Sequence, residues 1–234
     1  MMNSQQASGS PPSVPSPFPQ VKVCGLKTTA EAVACACLGV HAIGLVFYPP
    51  SPRFVTDAAA REICRNLPDS VARVGVFVQE GFDSILRRVE VCGIDTVQLH
   101  GLEDPELVLR LSRQGLRVIK ALFADGSPGI EAVSSYSASA FLIECRGGPL
   151  PGGNARSWDW ASAAFLGERY PIILAGGLTP DNVARAAAQA MPDAFDVSSG
   201  VEISPGKKDI PKVRKFMEAV IRTSSSRTLR RIFP

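Results

Sequence analysis

Eight short runs of Val, Ile, Leu and Phe recur along this chain of 234 residues, each apolar from end to end and each followed by a longer amphipathic stretch. A strand with one wet face alternates apolar and polar residues, so a run without alternation is covered on both faces. The runs lie at 20–24, 42–47, 73–78, 96–99, 117–122, 140–144, 171–175 and 194–198. Helical patterning falls between and after them, at 29–38, 57–66, 82–92, 104–114, 128–137, 159–167, 180–190 and 209–221. Of these, Ala161 to Gly167 is short and barely periodic. Helix starts are marked by Thr28 ahead of Glu31, by Thr56-Asp57, by Asp104-Pro105 and by Thr179-Pro180. Strands covered on both faces and joined through helices are parallel, and eight such units of about 25 residues suit a closed (β/α)8 barrel. The predicted fold class is therefore α/β, a single-domain TIM barrel. An open doubly wound sheet is the rival, but Cys24-Gly25-Leu26-Lys27-Thr28-Thr29 after the first strand is not the G-x-G-x-x-G that such sheets carry.

The barrel is expected to span 21–221, between a disordered Ser/Pro-rich tail at 1–20 and a basic, solvated tail at 222–234. Much of the formal charge of +3 sits in that second tail, at Arg222, Arg227, Arg230 and Arg231. The rest is nearly neutral, which argues against a nucleic-acid partner. No apolar run approaches the roughly 18 residues of a membrane span, and the first residues lack the pattern of a signal peptide. Six cysteines without a C-x-x-C pair or a companion histidine give neither a disulfide framework nor a metal site, and fit a reducing cytoplasm.

Chemistry in parallel α/β proteins gathers at strand C-termini. Here those ends read Cys24-Gly25, Gln98-Leu99-His100, Glu144, Gly176-Gly177 and Asp196-Val197-Ser198-Ser199-Gly200. Glycine and serine tips after strands seven and eight suit an anion, since close-approaching backbone amides cradle phosphate there; singly, each is a tight turn. Cys24 is either a functional thiol or packing. Arg53, in the proline-stiffened Tyr48-Pro49-Pro50-Ser51-Pro52-Arg53, suits a carboxylate or is an ordinary surface arginine. His100 reads equally as structural. Glu144, a carboxyl among apolar neighbours, can act as an acid or be a partnered structural group. Asp196, in an apolar strand, needs a partner or a job.

Taken in order and spacing, Lys22-Val23-Cys24-Gly25, the segment Gly44 to Arg53, Gln98-Leu99-His100-Gly101, Leu174-Ala175-Gly176-Gly177-Leu178 with Asn182-Val183, and Asp196 to Glu202 with Pro205-Gly206 and Lys208-Asp209 resemble phosphoribosylanthranilate isomerase from about Val21 to Val220. The resemblance implies a (β/α)8 barrel that performs, without a cofactor, the Amadori rearrangement of N-(5-phosphoribosyl)anthranilate in tryptophan biosynthesis, as a monomer or homodimer. It implies Cys24 as the base at ribose C2, with Lys22 lowering the thiol's pKa if their side chains share a face. It implies Arg53 on the anthranilate carboxylate, Asp196 near the anthranilate amine, and Gly176, Gly177, Ser198, Ser199 and Gly200 around the phosphate.

Two departures fall after strand six. The family's acid is an aspartate where this chain has Glu144, and its Gly-Gly-Thr/Ser-Gly run is replaced by Gly152-Gly153-Asn154-Ala155. One methylene displaces the acid by about 1 Å, enough to cost on the order of a hundredfold in rate unless the loop adapts. The alternative reading is a barrel that binds a phosphoribosyl ligand with little or no turnover. An isomerase or synthase for a related sugar phosphate is a third.

Overall fold

A computed structural model describes residues 18–146, 158–223, 225 and 227–234. Eight parallel strands close into a barrel in sequence order: β1 (Gln20–Cys24), β2 (Ala42–Val46), β3 (Ala72–Phe77), β4 (Thr96–Leu99), β5 (Arg117–Phe123), β6 (Ala140–Glu144), β7 (Ile172–Leu174) and β8 (Ala194–Val197). Closure comes from β1 pairing with both β2 and β8. Around it lie α1 (Thr29–Cys37), α2 (Asp57–Arg65), α3 (Phe82–Cys92), α4 (Pro105–Arg113), α5 (Val183–Ala190) and α6 (Ile210–Ile221). The predicted TIM barrel is the observed fold.

The fifth and sixth crossovers are 3-10 turns, Ile130–Ser135 and Trp160–Glu168, instead of α-helices. Gly129 and the serines at 134, 135, 137 and 139 favour turns over helix, and the Trp160–Glu168 segment has no amphipathic stripe to bury. Thr28, Thr56 and Asp104 cap as expected, each accepting a backbone N–H three residues on. Thr179 does not. Its carbonyl accepts from Asn182 and Val183 in a turn, and α5 starts after Asn182. After β8 comes a 3-10 turn at Ser199–Val201, then a hairpin of β9 (Glu202–Ser204) and β10 (Lys207–Lys208) that the sequence patterning did not announce.

Strand residues alternate between two cores. Val21, Val23, Val97, Leu99, Phe195 and Val197 face the helices. Lining the interior are Cys24, Val46, Val76, Ala121, Leu142 and Ala175, with alanines 42, 72, 140 and 194 near the strand starts. Those small side chains leave room at the N-terminal pole, and Phe233 fills it as a member of the same cluster, 1% exposed.

The expectation of a solvated C-terminal tail is thereby corrected. Gln20 clasps the segment, its amide donating to Phe233 O and accepting from the N–H groups of Ile232 and Phe233. Buried Asp193 pairs with Arg227 at 2.9 Å and Arg230 at 3.5 Å, and accepts the Arg230 N–H. Arg230 also donates to the carbonyls of Gly167, Glu168 and Tyr170. Arg227 and Arg230, which have no acidic neighbour along the sequence, find an acid and backbone carbonyls across the fold. At the other end, residues 1–17 lie outside the described residues, whereas Gln20, counted with the tail, opens β1.

Candidate active site

Cys24 closes β1 with its side chain inside the barrel, 8% exposed. Lys22, two residues earlier on the same face, is fully buried; its ammonium hydrogen-bonds Asp196 at 2.9 Å and lies close enough to the Cys24 thiol for each to shift the other's pKa. Gly44 on β2 makes the space. A Cβ there would stand 2.7 Å from Cys24 Sγ and 3.1 Å from Lys22 Nζ, so only glycine admits both groups. Burial alone would lower the Lys22 pKa, but Asp196 and Cys24 hold it above its ordinary value. The thiol goes the other way from expectation. Burial raises its pKa by more than Lys22 and Lys208 pull it down, so the side chains share a face as required yet the net shift is upward.

The β8 loop buttresses this corner. Ser198 Oγ donates to the Cys24 carbonyl at 3.0 Å, and Lys208 reaches both Ser198 oxygens at 3.3 Å. Its ammonium also pairs with Glu202 at 2.7 Å. Glu202 is the hub. Arg53 grips it through Nε at 2.9 Å and Nη2 at 2.7 Å. Burial alone would raise the Glu202 pKa, but Arg53 and Lys208 hold the carboxyl below the usual range, while burial lowers the Lys208 pKa despite Glu202. Arg53 is thus no surface arginine. It is 7% exposed, with its stem across Gly25, where φ is 81° and a Cβ would collide with Arg53 Cδ.

Three strands round the barrel from Cys24, Glu144 ends β6, 5% exposed, and bonds His100 Nε2 at 2.8 Å. His100 continues to Gln98 at 2.9 Å and meets the Phe123 edge at 5.8 Å. The next tip, Gly176-Gly177, has φ of 86° and 66°. It is pinned by Trp158, which donates to Ala175 O, and by Trp160, which donates to Gly176 O. Asn182 closes the turn onto Gly177 O. Residues 147–157, with Gly152-Gly153-Asn154-Ala155, lie outside the described residues.

All the predicted site residues thus fall at the C-terminal ends of β1, β2, β6, β7 and β8 or in the loops beyond. The sequence reading left the direction of Lys22 open, although its i, i+2 spacing to Cys24 was a usable signal. It assigned Glu202 and Lys208 no role, because Glu202's partner Arg53 lies on the loop after β2 and Lys208 meets Ser198 and Glu202 only once the segment after β8 folds back.

Fold and site together define a class: a (β/α)8-barrel enzyme with its ionisable groups gathered at the strand C-termini. Residues 21–219 match the family model described as N-(5'phosphoribosyl)anthranilate (PRA) isomerase. The N-(5'-phosphoribosyl)anthranilate isomerase of Desulfatibacillum aliphaticivorans is 52% identical over 214 residues, covering 92% of this chain and 98% of that protein. The crystal structure of phosphoribosyl anthranilate isomerase from Thermotoga maritima superposes with a TM-score of 0.81 at 35% identity, covering 87% of this chain and 98% of its own. A phosphoribosyl anthranilate isomerase in complex with reduced 1-(o-carboxyphenylamino)-1-deoxyribulose 5-phosphate gives 0.76, also at 35% identity, over 87% and 98% of the two chains. The chain belongs to the phosphoribosylanthranilate isomerase family.

Proposed function

We propose that this barrel converts N-(5-phosphoribosyl)anthranilate to 1-(2-carboxyphenylamino)-1-deoxyribulose 5-phosphate in tryptophan biosynthesis, with Glu144 as general acid and Cys24 as general base. The observation that carries the assignment is the placement of a buried carboxyl and a lysine-paired thiol at the same mouth, three strands apart.

Glu144 gives its proton to the furanose ring oxygen as the C1–O bond breaks, and the anilino nitrogen's lone pair forms the iminium. The Cys24 thiolate then takes the C2 proton; the electrons neutralise the iminium, giving an enolamine that tautomerises to the ketose. The base is the fraction of Cys24 already ionised, which the adjacent Lys22 ammonium stabilises. Arg53, whose two bonds to Glu202 use Nε and Nη2, offers its Nη1 edge to the anthranilate carboxylate. Asp196 faces the anthranilate amine. The phosphate is bound at the tips that follow β7 and β8, by Gly176, Gly177, Ser199 and Gly200, with Ser198 holding the loop to Cys24.

No helix among the described residues is long and apolar enough to cross a membrane, and no disulfide joins the six cysteines. Both fit a cytoplasmic enzyme acting on a small molecule. Every group invoked comes from one chain, so monomer and homodimer serve equally. The test is a spectroscopic assay with enzymatically generated phosphoribosylanthranilate, run beside direct binding of the product. Turnover with binding is the expected result; binding without turnover would select the ligand-binding barrel instead.

A further inference from the structure

Behind Glu144 the hydrogen-bonded chain continues through His100 to Gln98, and its last atom is unmatched. Gln98 is 1% exposed on the inner face of β4, and its Oε1 has no hydrogen-bond partner among the described residues. A buried carbonyl oxygen left alone costs about 1–3 kcal/mol. A leucine would fill the same volume without that penalty.

Proton bookkeeping gives the amide a purpose. When the Glu144–His100 pair is unloaded, a carboxylate beside a neutral imidazole, Nε2–H donates to Glu144 and Nδ1 accepts from the Gln98 amide nitrogen 2.9 Å away. The extra proton that an acid must deliver can be held in the hydrogen bond between the two groups, on Glu144 Oε1 or on His100 Nε2. In both cases Nδ1 carries hydrogen and needs an acceptor. A half-turn of the terminal amide puts Oε1 there, with no other atom moving. Few neutral side chains can both give and accept a hydrogen bond at this point.

We propose that Gln98 is a positioning residue which, through His100, holds the acid's proton on the Glu144–His100 pair. The proposal rests on the reading of Glu144 as the acid. Few other charges act on this imidazole. From β5 it meets the Phe123 ring, which carries the Arg146 guanidinium 5.9 Å from its centroid. Beside the β4 loop, Lys120 and Glu103 neutralise each other at 2.8 Å.

Because the chain has only two histidines, isotope-labelled histidine in the whole protein gives two imidazole signals, and His41→Gln assigns them. At neutral pH the wild-type His100 should be protonated at Nδ1. Gln98→Leu, which removes the acceptor, should move the His100 titration midpoint down by about one pH unit or more; Gln98→Glu, which fixes an acceptor, should move it up. In the assay Gln98→Leu should lower kcat about tenfold and leave KM within about twofold. A purely structural role would leave the Gln98→Leu midpoint where it is, whereas the added carboxylate of Gln98→Glu raises the midpoint in either case. Overturning results are a wild-type His100 with a bare Nδ1 at neutral pH, or midpoints that do not move in opposite directions. If Gln98→Leu does not fold, the wild-type spectrum alone decides. Full turnover in Glu144→Gln would instead sink the acid assignment, and the His100 spectrum distinguishes the two failures.

Discussion

The two poles of the barrel interior are built from opposite materials. At the C-terminal pole, Lys22 pairs with Asp196 beside Cys24, and Gln98 and Glu144 are joined through His100. At the N-terminal pole, alanines 42, 72, 140 and 194 surround Phe233, and at the rim Asp193 collects Arg227 and Arg230. One pole concentrates groups whose desolvation is costly, and the other is filled by side chains whose burial stabilises the fold. The same eight strands supply both, so a substitution's distance along a strand decides whether it damages chemistry or stability.

The largest effect expected is at the polar pole. Cys24→Ser should reduce kcat by about 100- to 10,000-fold while product binding and the melting temperature stay near wild type. A variant with near-normal turnover would make Cys24 a packing residue and erase the contrast. Lys22→Met blurs the boundary in an informative way, because it leaves the Asp196 carboxylate inside without its cation. It should lower unfolding stability by about 3–5 kcal/mol and also move the Cys24 thiolate, followed by its ultraviolet absorbance, to higher pH. Stability loss without any change in the thiol would detach Lys22 from the base.

At the sealed pole, Phe233→Ala should cost about 3 kcal/mol in urea unfolding and leave kcat within about twofold. A large fall in kcat at full stability would mean that the poles communicate. The smallest effect concerns His41, whose Nδ1 accepts the Val21 N–H and whose pKa is lowered first by burial and then by Arg231. The unfolded chain binds a proton near the ordinary histidine value of about 6.5, and the folded chain only at lower pH. Stability should therefore decline as pH falls below about 6.5, down to the folded value. Unfolding curves of wild type and His41→Gln across that range check the sign: the slope should be shallower in the variant.

How much of this was legible in the sequence follows the range of the interactions. Apolar runs and caps are local, so the eight strands and the Thr28, Thr56 and Asp104 helix starts were readable. Cys24, Arg53, Glu144 and Asp196 were readable as strand-tip residues, with roles borrowed from a family resemblance. What escaped were pairings between distant segments: Arg53 with Glu202, Glu144 with His100, and Phe233 among alanines 42, 72, 140 and 194. The basic tail misled for the same reason. Its acidic partner, Asp193, lies 34 or more positions away in sequence, which no local pattern announces. The upward shift of the Cys24 pKa escaped because the sequence shows the lysine but not the depth of burial around it.

The central claim is that a carboxyl proton at the mouth starts the rearrangement, and Glu144→Gln tests it most directly. The amide keeps the side chain's length and can still bond His100 Nε2, so the fold and the product site should survive while the transferable proton is gone. Measured with enzymatically generated phosphoribosylanthranilate, kcat should fall by about 100-fold or more with product affinity within a few fold. An unchanged kcat would contradict the account and send the search for the acid elsewhere in the mouth, beginning with Asp196.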